Sequence, residues 1–169
     1  FADKAELQTA VNLWISDNAS AITTYREINT WDTSLITDMS SLFNDTEFND
    51  DISNWDVSNV TNMYYMFGFN IKFNQIISSW NTSKVSNMQQ MFYYATEFNQ
   101  NLSNWDVAEV LNMYNMFGGC AKFNNGGSPL TWTTSKLTNM GGIFSNCTVF
   151  NQPIPNWDTS NVTNMLNMF

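Results

Sequence analysis

The sequence predicts a repeat solenoid, and three regularities carry that expectation. Tryptophan returns at Trp31, Trp55, Trp80, Trp105, Trp132 and Trp157, at spacings of 24, 25, 25, 27 and 25 residues. A phenylalanine follows each of them by twelve residues, at Phe43, Phe67, Phe92, Phe117, Phe144 and Phe169. Between these markers the apolar positions keep their places. Ile36, Val60, Val85, Val110, Leu137 and Val162 stand five residues after the Trp, and Met39, Met63, Met88, Met113, Met140 and Met165 stand eight after it. A fixed period in this range marks stacked units that each contact only their neighbours.

Taken in order, residues 1–29 fall outside the repeat. Asp3 with Glu6 forms a capping-box start, and Leu7, Val11 and Trp14 share one helical face. Ser16, Asp17 and Asn18 break that helix, and Ile22 and Tyr25 belong to a second short one reaching about residue 27. This segment reads as an N-terminal helical cap over 1–29, because a stack of coils has an apolar end that a terminal unit must cover.

Residues 30–169 then divide into six coils of 24–27 residues. Ile52–Trp55 and its equivalents read as a short strand. Val60, Met63 and Phe67, at i, i+3 and i+7, suit a helical turn on the opposite side, capped by Asp56 or Ser58. A second strand over Asn59–Met63 is the competing reading. A further Phe-Asn pair recurs before the next Trp, as at Phe48-Asn49 and Phe73-Asn74, and the insertion Asn125–Pro129 is a loop on one face. One coil alone buries too little apolar surface to offset its chain entropy, so the array is expected to fold as a unit. The chain begins at Phe1 rather than Met, which reads as a removed leader or a fragment. It ends at Phe169 on the last residue of a motif, where further coils, a C-terminal cap or a partner are expected.

The composition excludes several functions. Six Lys+Arg stand against 15 Asp+Glu, for a formal net charge of −9. Binding to a phosphate backbone needs a basic stripe, so no nucleic-acid partner is expected. No apolar run is long enough for a membrane span, so no direct membrane insertion is expected in this segment. The chain has no histidine, which removes the commonest general base and the commonest transition-metal ligand.

The second coil runs Phe48-Asn49-Asp50-Asp51-Ile52-Ser53-Asn54-Trp55-Asp56-Val57-Ser58-Asn59-Val60-Thr61-Asn62-Met63-Tyr64-Tyr65-Met66-Phe67. It resembles the BspA-like leucine-rich-repeat surface proteins, in particular the subgroup with the repeat F-N-x-x-I-x-x-W-D-x-S-x-V-T-N-M-x-x-M-F. The resemblance covers 28–169. Thr133 departs from it after Trp132, Ala108-Glu109 replaces Ser-Asn, and Gly141-Gly142 thins the fifth coil. It implies a right-handed, leucine-rich-repeat-like solenoid with one short parallel strand per coil. It also implies a surface-exposed or secreted protein that acts through contacts, often in adhesion, with no shared active site.

Individual residues refine this expectation. All ten methionines lie in two apolar columns and read as core rather than soft-metal ligands. The column Asn62, Asn87, Asn112, Asn139 and Asn164, with Asp38 in the first coil, reads as a structural amide ladder along the axis. Asp32, Asp56, Asp106 and Asp158, each following a Trp, read as turn caps, since an active site needs one special place rather than a periodic one. Asp45, Glu47, Asp50 and Asp51 read as a solvated acidic face; the loop glycine of a known Ca²⁺ site is missing. Cys120 and Cys147 share one column of adjacent coils and read as two free core thiols, with a disulfide as the alternative. A threonine column at Thr37, Thr61, Thr138 and Thr163 is interrupted by Ser86 and Leu111, which counts against a flat face for an ordered surface.

Binding candidates are the aromatics that vary between coils: Tyr64, Tyr65, Phe69, Tyr93, Tyr94 and Tyr114. Varying aromatics on a regular scaffold are what a contact surface uses. The expected function is a non-catalytic protein-interaction or adhesion module with a protein partner, without cofactor or metal. The alternative is a scaffold subunit at the periphery of a large multi-protein assembly.

Overall fold

A computed structural model describes residues 1–169 of the chain. Helix α1 spans Lys4–Ser16 and α2 spans Asn18–Tyr25. The Asp3 carboxylate accepts from the Glu6 amide to start α1, and Asp17 does the same for α2 through Ser20. Helix α1 buries Leu7, Ala10, Val11 and Trp14. The Trp14 ring meets Trp31 edge-on at 5.8 Å, so α1 covers the start of the tryptophan column.

The right-handed, leucine-rich-repeat-like solenoid expected for 30–169, with a strand and a helical turn in each coil, does not form. This stretch contains no strand and no α-helix; its regular pieces are a 3₁₀ turn at Ile28–Thr30, which ends at its first residue, and another at Asn125–Gly127 in the insertion. Between successive repeats there are single parallel bridges, Asp38–Asn62, Asn62–Asn87, Asn87–Asn112, Asn112–Asn139 and Asn139–Asn164. The segment taken for a strand is a turn, closed by Trp55 N–H to the Ile52 carbonyl at 3.1 Å.

The backbone accounts for the absent helix. From Met63 onward, alternate N–H groups leave the repeat: Met63, Tyr65, Phe67 and Phe69 donate to the Asn87, Gln89, Met91 and Tyr93 carbonyls of the next one. The intervening Met66, Gly68 and Asn70 donate locally, three residues back, to Met63, Tyr65 and Phe67. An α-helix sends every N–H four residues back along the same segment. Here half of them are spent across the stack, so the chain advances as linked turns. Those turns pass through the left-handed region twice per repeat. One column with positive φ is Ser41, Tyr65, Gln90, Asn115, Gly142 and Asn167; the other is Asp45, Phe69, Tyr94, Gly119 and Asn146. Turns of this kind still aim Met63, Met66 and Phe67 inward, which is why their spacing imitates a helical face.

Side-chain columns hold the repeats in register. Trp55 Nε1 donates to the Ile28 carbonyl at 2.8 Å, Trp80 to Ile52, Trp105 to Ile77 at 3.0 Å, Trp132 to Leu102, and Trp157 to Leu130. Each indole thus bonds the aliphatic residue of the preceding repeat. Phe43, Phe67, Phe92, Phe117 and Phe144 stack face to face, 5.5–5.9 Å between centroids. The second phenylalanine column packs on the first within each repeat, as Phe73 does on Phe67 at 3.8 Å. Thr33, Thr82 and Thr134 are buried because their hydroxyls donate to the Asp56, Asp106 and Asp158 carbonyls of the following repeat. In the sixth repeat Phe169 is 71% exposed, while its equivalents Phe43, Phe67, Phe92, Phe117 and Phe144, each followed by another repeat, are buried.

The carboxylates after each Trp close tight local turns. Asp32, Asp56, Asp106 and Asp158 accept from the amides of Ser34, Ser58, Ala108 and Ser160, and Asn81 replaces them in the third repeat. Hydrogen bonds from Ser34, Ser58 and Ser160 hold Asp32, Asp56 and Asp158 below the ordinary value of 3.8. A carboxyl group with a depressed pKa in the fold stabilises above its unfolded pKa, and that contribution is lost as pH falls through the folded value. Thermal unfolding midpoints are therefore expected to hold from neutrality to roughly pH 5 and to fall below about pH 4, with a shallower acid loss in Asp56→Asn. Trp105→Phe keeps an aromatic ring but removes the donor to Ile77. It should cost about 1–3 kcal/mol in urea unfolding, combining a lost buried hydrogen bond and a smaller ring.

Candidate functional site

The amide ladder lies along one side of the stack. Asn62 Nδ2 donates to Asp38 Oδ1 at 3.1 Å, Asn87 to Asn62 at 3.1 Å, and Asn164 to Asn139 at 3.0 Å. Asn112 departs from the register and donates instead to Gln89 Oε1 at 2.8 Å. Each side-chain oxygen also accepts from the amide two residues on, as Asn62 does from Tyr64 and Asn112 from Tyr114. The ladder thereby orients the residues that begin the aromatic face.

Five of the six candidate aromatics form one cluster. Tyr64 stacks on Tyr65 at 5.7 Å, and Tyr65 meets Phe69 edge-on at 6.2 Å. Phe69 lies parallel to Tyr94 at 5.1 Å and 2°, with Tyr93 edge-on to both, at 5.4 and 4.7 Å. Tyr114 joins through a recess beside the cluster, of ≈ 210 Å³, that Tyr93, Tyr94, Tyr114, Asn115, Gly119 and Gly142 help to line. Ser145, Asn146 and Asn167 complete its far side.

The left-handed columns explain this shape. Phe69 and Tyr94 stand in the same column as Gly119. Their stacked rings therefore end at a residue with no side chain, and the Tyr94 ring lies over Gly119 so closely that a Cβ there would sit 2.9 Å from it. In the neighbouring column the Asn115 amide crosses Gly142, where a Cβ would fall 1.8 Å from Oδ1. Gly119 and Gly142 thus admit the Tyr94 and Asn115 side chains against the backbone, beside the recess that all four residues line. Sequence reasoning named the tyrosines but missed Asn115, Gly119, Gly142 and Asn167; the signal was the replacement of aromatics by glycine at equivalent positions, read there as thinning of one coil.

Tyr65, Phe69 and Tyr94 adopt φ of 56°, 54° and 56°. Bulky side chains are strained in this region, at a cost of about 1–2 kcal/mol each. Burial, followed by the nearby Asp45 and neighbouring tyrosines, raises the Tyr65 phenol above its ordinary value of 10.0, and burial likewise raises Tyr93. Both phenols stay neutral in the physiological range.

Other groups are spent elsewhere. Asp50 accepts from Trp14 Nε1 at 2.8 Å, Asp51 from Asn29, and Asp45 from Asn44. No three acidic or thiol side chains converge as a metal-binding group. A broader groove of ≈ 740 Å³ lies between the helices and the first repeats, lined by Trp14, Ile15, Glu27, Glu47, Phe48 and Asp50. Cys120 and Cys147 are free and buried, and their thiols donate to the Phe92 and Phe117 carbonyls. Burial pushes Cys120 well above its ordinary value and Cys147 up to about 12, so neither is a thiolate nucleophile at neutral pH. No helix is long and apolar enough to cross a membrane.

A family model described as "Mycoplasma protein of unknown function, DUF285" matches residues 12–129 and 128–169. The chain belongs to this family. No curated protein and no solved structure matches it. The match takes in the DUF285 repeats and the end of α1, and so spans every residue of the aromatic cluster and the recess.

The strain at Tyr94 has a measurable signature. Tyr94→Gly relieves the left-handed backbone while removing the ring, whereas Tyr94→Ala removes the ring and keeps the strain. The glycine variant is expected to be more stable than the alanine variant by about 1 kcal/mol in urea unfolding, the reverse of their order in ordinary backbone. Equal stability of the two would show that position 94 carries no strain.

Proposed function

We propose that the chain is a non-catalytic interaction or adhesion module, surface-exposed or secreted, which contacts a protein partner through Tyr64, Tyr65, Phe69, Tyr93, Tyr94 and Tyr114. One observation carries this reading. Three bulky aromatics occupy left-handed positions that Asn115, Gly119, Gly142 and Asn146 fill in other repeats. Folding alone favours glycine or asparagine there, and strain of this kind collects at functional sites. The rings are also partly exposed on a rigid scaffold, where large aromatics give contact area at little entropic cost. The F-N-x-x-I-x-x-W-D-x-S-x-V-T-N-M-x-x-M-F motif supports kinship with the BspA-like subgroup, and with it the surface location.

Tyr64 and Tyr93 have ordinary backbone conformations, so they test the contact face without altering strain. The Tyr64→Ser, Tyr93→Ser double variant should unfold like the wild type yet bind intact source cells at least about tenfold more weakly, as expected for loss of interface aromatics. Unchanged cell binding would remove the contact reading. Recovery of the native protein in fixed stoichiometry with other subunits would instead support the alternative, a scaffold subunit of a large assembly.

A further inference from the structure

We propose that the recess at the end of the aromatic column is a binding site for a neutral sugar ring. The proposal rests on the reading of this side as a contact surface, and it names a ligand class for a part of that surface which a flat protein contact does not need.

Three observations lead to it. First, the column of flat rings ends beside the recess. Phe69 stacks on Tyr94 at 5.1 Å and the Tyr94 ring lies against Gly119, so Tyr94 turns only an exposed edge to the recess, which Tyr114 also lines. Tyr94 and Tyr114 remain 39% and 38% exposed at its edge. The C–H face of a sugar ring fits against an exposed tyrosine such as Tyr114, which stacks on no other ring and is apolar in the body and polar at the tip.

Second, the recess carries no charge. The chain holds 15 acidic residues, yet none lines it, nor does any lysine or arginine. A neutral ligand therefore needs no compensating ion, whereas a phosphate or carboxylate would enter the field of a chain at −9 with no cation to receive it.

Third, the polar groups are of the kind that pair with hydroxyls. Asn112 and Asn164 nearby are spent in the amide ladder. The side chains of Asn115 and Asn167 enter no internal hydrogen bond, and Asn146 makes only a 3.4 Å contact with Ser145. An amide offers donors and an acceptor together, which matches vicinal hydroxyl groups that are both donor and acceptor. The lining is mostly polar, with Tyr93, Tyr94, Tyr114 and Leu166 as its larger apolar groups, which suits a ligand rich in hydroxyls.

The test uses the full chain and four probes: chitotriose, cellotriose, lactose and 3′-sialyllactose, by saturation-transfer NMR and calorimetry. At least one neutral oligosaccharide is expected to bind, and sialylation of lactose is expected to give no gain. Tyr94→Gly and Asn115→Gly place in each column a residue that the next repeat already carries there. Both should keep the wild-type circular dichroism and a cooperative unfolding transition and weaken sugar binding by about tenfold each, the size of one lost ring contact or hydrogen-bonding group. Absence of binding by all three neutral probes at millimolar concentration overturns the proposal, as does binding that both variants leave unchanged or that only the sialylated probe shows. The two readings fail separately. Loss of cell binding in the Tyr64→Ser, Tyr93→Ser variant without any sugar binding leaves the contact face standing and the sugar site refuted. Sugar binding at the recess with cell binding intact in that variant does the opposite.

Discussion

Every second backbone N–H between the methionine column and the closing phenylalanine points along the stack rather than along the chain. Met63, Tyr65 and Phe67 are tied to the next repeat by this pattern, and the residues between them to their own. Both halves have to be satisfied in a buried stack, because an orphaned polar group in the core costs free energy comparable to a lost hydrogen bond. The alternation therefore dictates the turns, the turns dictate the two left-handed columns, and the columns dictate where bulky side chains are tolerated.

Side chains reinforce this arrangement at each face. The indole N–H of Trp105 reaches back to Ile77, the Thr82 hydroxyl reaches forward to Asp106, and the Asn87 amide reaches back to Asn62. Apolar columns fill the space between. No buried side-chain nitrogen or oxygen lacks a partner. Such consistency between levels is what makes a stack without regular secondary structure specify one conformation.

The aromatic cluster is where that consistency is broken. Tyr65, Phe69 and Tyr94 fit their packing and conflict with their backbone, while Gly119 relaxes the column of Phe69 and Tyr94 one repeat later and Gly142 the column of Tyr65 three repeats later. The change from ring to glycine leaves a step in an otherwise regular surface. The same two columns hold Ser41, Asp45 and Gln90 in other repeats, so the left-handed turns belong to the whole stack and the bulky rings only to this part of it.

The period, the core columns, the helical N-terminal segment and the aromatic candidates were all legible in the sequence, because side-chain identity at a fixed spacing reports which face is buried. Leu7, Trp55, Met63 and Phe67 could be assigned inward on that basis. The path of the backbone between them could not. The spacing of Val60, Met63 and Phe67 is met equally by a helical turn and by linked turns that spend alternate N–H groups on a neighbour, and only the presence of that neighbour chooses between them. The strand expected over Ile52–Trp55 failed for the same reason: its pairing reduces to a single bridge elsewhere, at Asn62. Likewise Gly119 and Gly142 were visible as glycines, but the recess arises only when the Tyr94 and Asn115 side chains of the preceding repeat are laid across them. The sequence determined what faces the core; stacking, through hydrogen bonds between residues some 25 positions apart, decided how the chain gets there.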